Sequence, residues 1–133
     1  MSSKKKGTRY ERELFHLFWD TGTWSAVRSA GSGSTPLPSP DILASNNNRT
    51  IALECKSIKS GSKYLEKEKM EELIKFSTLF GAEPWLGIRF DNKGWFFLKP
   101  EDLQKNKNEN YSISLDYAKE KGINFENLIN PNN

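Results

Sequence analysis

Asp41, Glu54 and Lys56 have the residue types and the spacing of a hydrolytic metal site. Two carboxylates supply the hard oxygen ligands that Mg²⁺ and Mn²⁺ bind in proteins. A nearby ammonium can orient or deprotonate an attacking water, or neutralise charge that develops on a phosphate during hydrolysis. The pattern Asp…Glu-x-Lys alone is weak, since most chance matches are surface ion pairs. Pro40 directly before Asp41, together with the basic residues around this stretch, favours phosphodiester hydrolysis.

The two carboxylates need a β-hairpin to bring them together. Residues 46–48 are three asparagines, a residue type that tolerates positive φ and favours a tight turn. With the last two of them at the centre of the turn, strand pairing places Asp41 opposite Glu54. Directly opposed residues share a face, so the two carboxylates repel unless a cation lies between them. Lys56 shares that face because it lies two residues after Glu54, and the hairpin therefore predicts a divalent-metal site beside a lysine.

The composition indicates one globular domain, residues 1–133. Eight Phe, four Trp and four Tyr are enough large apolar residues to build a modest core in a chain of this length. The single cysteine excludes an internal disulfide and a thiolate metal cluster, which favours an intracellular, cytoplasmic location. No apolar run approaches membrane-spanning length, so no membrane partner is expected.

Two basic segments predict a polyanionic partner such as DNA. Residues 1–12 carry five lysines and arginines against one glutamate, in a chain whose net charge is +3. Residues 1–7 are predicted to form a basic N-terminal arm, for which a solubilising tail is the alternative. A second basic turn, residues 57–63, follows the hairpin. The candidate DNA contacts in these segments are Lys5, Lys6, Arg9, Lys59 and Lys63.

Apolar periodicity predicts a first helix from Thr8 to about Asp20. Thr8 is the predicted N-cap, and Glu11, three residues later, has the position of the acidic residue in a capping box. Glu11 also lies at the margin of the buried stripe, where its carboxylate could reach a site in the fold. The spacing favours neither role over the other.

A second helix is predicted from Tyr64 or Leu65 to Phe80, with apolar residues on two faces. Phe76 and Leu79 lie off its buried stripe, which indicates either a wider core face or a subunit interface. The predicted buried stripe is Met70, Leu73, Ile74, Ser77 and Phe80.

The order helix, strand, hairpin, helix, hairpin predicts an α/β fold with one mixed β-sheet flanked by helices. Residues 29–39, rich in Ser, Gly and Pro, are either an ordinary connector or a loop that closes over a substrate. The remaining predictions are strands at 24–28, 84–90, 95–98 and 111–115, a solvated loop at 100–110, a last helical segment at 124–129 and a frayed tail at 130–133.

Several motifs together resemble the archaeal-type Holliday junction resolvases of the PD-(D/E)xK nuclease superfamily. The nuclease signature matches Pro40-Asp41 followed by Glu54-Cys55-Lys56, and the start of the family matches Lys6-Gly7, three residues, then Glu11-Arg12. Residues 27–32 resemble the family's loop, and residues 70–81 resemble its long helix. The resemblance covers roughly residues 6–98 in order, and extends more weakly to Leu128.

The resemblance implies a restriction-endonuclease-like fold and a homodimeric endonuclease that requires Mg²⁺, for which Mn²⁺ would substitute. Its substrate would be four-way DNA junctions, cut by paired symmetric nicks that leave 5′-phosphate and 3′-hydroxyl ends. The implied metal ligands are Glu11, Asp41, Glu54 and the backbone carbonyl of Cys55. Glu11, an even choice from its spacing, thereby favours the site over the cap.

Further roles carried over by the resemblance concern catalysis, DNA contact and dimerisation. Lys56 would be the catalytic lysine, and Ser32 would contribute to both cleavage and DNA contact, so that the loop leading to Pro40 meets the scissile strand. Arg12 and Arg28 match residues implicated in DNA contact or cleavage. The other matched positions are Arg89, an arginine where the family often has lysine, and Phe76 and Phe80, which match aromatics of the dimer interface.

Two other functions remain open from the sequence. A related PD-(D/E)xK nuclease could act on duplex or flap DNA, and its cleavage of a four-way junction would not exceed that of the component duplexes. A non-catalytic DNA-binding protein could keep the same scaffold, although the complete set of Asp41, Glu54 and Lys56 argues against it.

Overall fold

The computed structural model describes residues 3–29, 37–105, 107–108 and 110–131, and it has the α/β architecture that the sequence predicts. A five-stranded sheet has the order β1-β2-β3-β5-β6, and a small second sheet has the order β4-β8-β7. The elements are α1 (Ser3–Asp20), β1 (Ser25–Arg28), β2 (Ile42–Ser45), β3 (Thr50–Ile58), β4 (Ser62–Leu65), α2 (Lys67–Phe80), β5 (Glu83–Phe90), β6 (Gly94–Leu98), a 3₁₀ turn (Pro100–Asp102), β7 (Gln104–Lys105), β8 (Tyr111–Ser114), α3 (Leu115–Lys121) and α4 (Phe125–Ile129).

The main sheet is mixed, with helices on both faces. β3 and β5 run parallel, while the β1–β2, β2–β3 and β5–β6 pairs are antiparallel. Parallel neighbours need a crossover connection, and α2 supplies it between β3 and β5. One face packs against α1 through Leu14 and Phe18, and the other packs against α2 through Met70 and Leu73. The prediction of a mixed sheet flanked by helices is confirmed. Among the described residues, no helix is long and apolar enough to cross a membrane.

The β2–β3 register agrees with the predicted hairpin. Ile42 pairs with Leu53, and Ser45 pairs with Thr50. The turn is closed by the hydrogen bond from the backbone N–H of Asn46 to the carbonyl of Arg49, at 3.1 Å. Asn47 has φ 80°, which explains the use of asparagine there, because other residues with a Cβ rarely adopt positive φ.

The first helix begins earlier than predicted. α1 starts at Ser3, so Thr8 lies inside the helix and is not an N-cap, and the capping role considered for Glu11 is wrong. The predicted N-terminal arm is likewise helical from Ser3 onwards. The physical reason is a tertiary contact: Lys6 Nζ lies 2.7 Å from Asp91 Oδ2, and the Tyr10 hydroxyl donates to Asp91 Oδ1 at 2.9 Å. These bonds hold the first turns of α1 on the β5–β6 turn.

The second helix begins later than predicted and has a narrower buried stripe. Residues 64 and 65 belong to β4, because β4 pairs with the distant β8. Of the predicted stripe, Met70, Leu73 and Ser77 are buried. Ile74 is 41% exposed and Phe80 is 57% exposed, so their assignment to the core is wrong. α2 crosses only the β3–β5 part of the sheet, and this surface covers a narrow strip of the helix.

The C-terminal third has more regular structure than predicted. The predicted solvated loop contains the 3₁₀ turn and β7, and Leu115 begins α3 instead of ending a strand. The Ser114 hydroxyl accepts a hydrogen bond from the Tyr117 N–H and thereby caps α3. The last helix begins as predicted, with the side chain of Asn124 accepting from the Asn127 N–H. α3 and α4 complete the two faces of the sheet.

Candidate active site

Asp41 and Glu54 meet at the open end of the β2–β3 hairpin. The backbone of Asp41 is held from both sides: its N–H donates to the Leu53 carbonyl at 2.9 Å, and its carbonyl accepts from the Ser29 N–H at 3.0 Å. Its Oδ2 atom accepts from the Cys55 N–H at 2.8 Å. The side chains of Asp41 and Glu54 hydrogen-bond to each other. The fold therefore fixes the position of a carboxylate pair.

Burial and mutual repulsion perturb both carboxyls. Burial raises the pKa of Glu54 to about 8, with the charge of Asp41 as the second cause. Burial also raises the pKa of Asp41, although its hydrogen bond from the Cys55 N–H and the charge of Lys56 act in the opposite direction. The raised pKa favours the protonated form of Glu54, which can donate a hydrogen bond to the Asp41 carboxylate. A cation placed at the pair would replace this proton.

Lys56 lies on the same face of β3 as Glu54. Ala52 and Ile58 belong to the core cluster on the α2 side of the sheet, and residues two apart along a strand share a face. Glu54 and Lys56, between them, therefore point to the α2 side, whereas Cys55 packs against the cluster on the α1 side. The charge of Lys56 lowers the pKa of both Asp41 and Glu54.

Glu11 reaches this site from α1. Its pKa is raised by burial and by the charge of Asp41, and is lowered by Arg28 and Lys56. Glu11 Oε1 lies 3.6 Å from Arg28 Nη2, and the same Nη2 donates to the Thr8 carbonyl at 3.3 Å. Among the described residues, Arg28 Nε is buried and has no hydrogen-bond partner. Arg28 thus connects α1 to the end of β1 beside the carboxylates.

The donor set fits a hard divalent cation in chemical type. Asp41 and Glu54 supply two half-buried carboxylates already in contact, and carboxylate oxygen is the ligand that Mg²⁺ prefers. Within residues 3–29, 37–105, 107–108 and 110–131, no three Asp, Glu, His or Cys side chains gather closely enough to bind a metal as they stand. Mg²⁺ commonly uses only one or two protein carboxylates, so Asp41 and Glu54 alone could supply the carboxylate ligands of such an ion.

Some of the predicted DNA contacts are bonded to other groups of the chain, and others are exposed. Partial burial lowers the pKa of Lys63, with the charge of Lys56 as the second cause, and the Lys63 ammonium donates to the Ser57 carbonyl at 3.3 Å. Arg89 is engaged within the chain: its Nε lies 2.9 Å from Glu13 Oε1, and Nη1 donates to the Phe90 carbonyl at 2.7 Å. Lys6 is paired with Asp91, as described above. The exposed members are Arg9, Arg12, Lys59 and Lys63.

Two further predicted DNA contacts are Ser32 and Lys5. Ser32 lies outside the described residues, so its predicted role in cleavage and DNA contact stays a prediction. Lys5 is part of α1 rather than of a separate arm.

Lys69 is a cation of the site that the sequence patterns did not identify. It lies in the first turns of α2, and its charge lowers the pKa of both Asp41 and Glu54. Nothing in its spacing relates it to the hairpin, because the relation arises only when α2 packs over β3. Its position could have been predicted only from the way α2 crosses over the sheet between β3 and β5.

An exposed apolar patch lies on α2 next to the segment that leads to Asp41. The rings of Phe76 and Phe80 stack with centroids 5.1 Å apart, and Leu79 is 80% exposed. An open groove of about 340 Å³ runs along this patch. Its lining residues, which we call the α2 patch, are Leu37, Pro38, Lys75, Phe76, Leu79 and Phe80.

Comparison with known proteins gives one consistent result. A profile of the family described as archaeal Holliday junction resolvase (Hjc) matches residues 2–133. Crossover junction endodeoxyribonuclease Hjc of Archaeoglobus fulgidus is 38% identical over 110 residues, covering 83% of this chain and 79% of that protein. The enzyme of the same name from Sulfurisphaera tokodaii is 35% identical over 130 residues, covering 96% of this chain and 88% of that protein.

A solved structure agrees with the sequence matches. The structure of Archaeoglobus fulgidus Hjc, described as a Holliday junction resolvase from an archaeal hyperthermophile, superposes with a TM-score of 0.84. The two chains are 31% identical, and the match covers 92% of this chain and 98% of the other. The fold is therefore shared over most of the chain.

The carboxylate pair predicts a pH-dependent cost to stability in the metal-free protein. A carboxyl whose pKa rises on folding, here from 4.5 to about 8, destabilises the folded state increasingly as pH rises through that window. Each pKa unit corresponds to about 1.4 kcal/mol. Because Gln is neutral and cannot ionise, we expect Glu54→Gln to raise the free energy of unfolding at pH 8 by at least about 2 kcal/mol, and by much less at pH 5.

The measurement is urea unfolding in EDTA at the two pH values. Glu120→Gln, at an exposed position of α3, is the matched control and should change neither value. An equal effect of Glu54→Gln at pH 5 and pH 8 would contradict the account.

Proposed function

The chain belongs to the archaeal Holliday junction resolvase family, and from this membership we propose that it is an endonuclease that cuts four-way DNA junctions. The observation that carries the proposal is the hydrogen-bonded pair of Asp41 and Glu54 with Lys56 on the same face of the hairpin. Family membership supports the substrate class, and the carboxylate pair supports hydrolysis of a phosphodiester. A cytoplasmic location is part of the same proposal.

Mg²⁺, or Mn²⁺ in its place, is the proposed cofactor, held by Asp41 and Glu54, with Glu11 and the backbone carbonyl of Cys55 as further ligands. When bound, the ion would supply charge stabilisation to the phosphodiester as negative charge develops on its oxygens. The raised pKa of Glu54 supports this assignment, because a second positive charge beside Lys56 would relieve the repulsion between the carboxylates.

The residues of the chain would divide the remaining tasks. Lys56 orients the attacking water or neutralises charge on the reacting phosphate, since its ammonium is fixed beside the carboxylates by β3. Arg28, which already touches Glu11, would contact the DNA backbone at the edge of the site. Ser32, in the loop that leads to Pro40, is proposed to approach the cleaved strand.

Recognition is proposed to depend mainly on the shape and backbone of the junction. The exposed cations Arg9, Arg12 and Lys59, with Lys63 near the site, would contact phosphates, so binding should weaken with salt. Lys6 and Arg89 would contribute indirectly, because their ion pairs hold α1 and Glu13 against the sheet.

A homodimer is proposed, with the α2 patch as the subunit contact. Phe80 and Leu79 expose more than half of their surface within a monomer, and exposed apolar groups of this kind mark interfaces. A two-fold dimer places two identical sites on a substrate with two equivalent strands. Paired symmetric nicks with 5′-phosphate and 3′-hydroxyl ends would follow.

The function is tested by cleavage of a synthetic four-way junction and of its component duplexes, with Mg²⁺ and with EDTA. We expect junction-selective nicking that requires Mg²⁺. Glu54→Gln should reduce the cleavage rate by more than about a hundredfold, because it removes a ligand charge, while junction binding stays equal or becomes tighter. Equal cutting of duplex would support the alternative nuclease that acts on duplex or flap DNA. A wild-type protein that binds but never cuts would support the non-catalytic alternative.

The dimer has its own test. Phe80→Asp places a charge in the α2 patch and should shift the protein to monomers in analytical ultracentrifugation, since a buried unpaired charge is costly. Paired nicks within one junction should then be lost. Tyr64→Asp is the matched control, because Tyr64 is an exposed aromatic, 70% accessible, on β4. If Phe80→Asp kept the oligomeric state of the wild type, the assigned contact would be wrong.

A further inference from the structure

The side chain of Lys69 is held only loosely by its own helix. The side chain is 51% exposed, and its ion pair with Glu72 Oε2 on the same helix has a long separation of 3.9 Å. An exposed pair three residues apart on a helix contributes little. The neighbouring Met70 is fully buried, so the backbone at this point of α2 is fixed while the ammonium extends into solvent.

The position of Lys69 relates it to the carboxylate pair. Glu54 points to the α2 side of the sheet, as shown by its neighbours on β3. α2 packs across β3 and β5 directly above that face. The charge of Lys69 accordingly acts on both Asp41 and Glu54 and lowers the pKa of each.

Lys69 also lies on the flank of α2 that carries the apolar patch. Positions 69, 73, 76 and 80 follow the helical spacing of four, three and four residues, so they share one side of the helix. From Lys69 to Phe76 the helix advances two turns, about 10 Å at 1.5 Å per residue. Lys69 therefore lies on the same side of α2 as Phe76 and Phe80, two turns before Phe76.

Cations flank the carboxylates on two sides. Arg28 lies on the α1 side, where it contacts Glu11, and Lys69 lies on the α2 side. Lys63 and Lys56 interact with each other electrostatically next to the same pair. A DNA strand placed at the carboxylates would therefore have a cation on each side of them, Arg28 and Lys69.

We propose that Lys69 is a DNA-positioning residue, whose ammonium contacts a phosphate of the cleaved strand beside the carboxylate pair. The inference rests on the proposed function and adds a contact to it. Lysine suits this position because its three donors rotate freely and bind phosphate as a point charge. The residue holds the strand and takes no part in proton transfer.

The test compares Lys69→Ala and Lys69→Arg with the wild type on a four-way junction. For Lys69→Ala we expect a single-turnover cleavage rate about tenfold lower at sub-saturating protein, and much less reduced at saturation, as for loss of one phosphate contact. In EDTA, the slope of log affinity against log salt should fall by about one. Lys69→Arg should restore both values to within about threefold, because the charge is kept.

Lys119→Ala is the matched control, since Lys119 is exposed in the last turn of α3, and it should leave rate and salt slope unchanged. Circular dichroism confirms that each variant is folded. The proposal is overturned if Lys69→Ala keeps the wild-type salt slope and rate, or if Lys69→Arg fails to restore them. A failure of the proposed function would look different. The wild type itself would then not cut the junction, while the salt dependence of DNA binding would still show whether Lys69 contacts a phosphate.

Discussion

The register between β2 and β3 is the constraint on which the site depends. A slip of one residue would turn Asp41 or Glu54 to the opposite face of the sheet and separate the two carboxylates. Local and distant contacts hold this register: Asn47 adopts positive φ at the turn, and the backbone of Asp41 hydrogen-bonds to Leu53 of β3 and to Ser29, which follows β1. The parallel pairing of β3 with β5 then fixes Glu54 beneath α2. The positions of the Asp41 and Glu54 carboxylates therefore depend on a small number of residues.

The same arrangement sets stability against function. Because Asp41 and Glu54 are buried next to each other, ionisation of both groups is unfavourable, and the pKa of Glu54 is raised. A structure selected for stability alone would separate them or replace one by a neutral residue. Here Lys56 and Lys69 offset only part of the repulsion, and a carboxylate pair that remains short of positive charge is suited to bind a divalent ion.

Sequence reasoning was accurate where short-range rules decide and failed where long-range contacts decide. The hairpin could be predicted from the three asparagines of its turn and from the strand pairing that this turn imposes. The start of the last helix could be predicted from Asn124, which caps it. The start of α1 depended on Asp91, more than eighty residues away in sequence. β4 required its partner β8, and the place of Lys69 required the packing of α2 over β3. The residue types of the proposed site could be identified from the sequence, whereas the ion pairs that occupy Lys6 and Arg89 could not.

The most direct test of the central claim is the binding of Mn²⁺, followed by loss of its free electron paramagnetic resonance signal on titration with protein. The account predicts that the wild type binds Mn²⁺ and that Asp41→Asn and Glu54→Gln each weaken this binding by about tenfold or more, because each removes a ligand charge. Asp116→Asn, at the start of α3, should bind as the wild type does. If both site variants bound Mn²⁺ with the wild-type affinity, the carboxylate pair would not be the metal centre and the account would be contradicted.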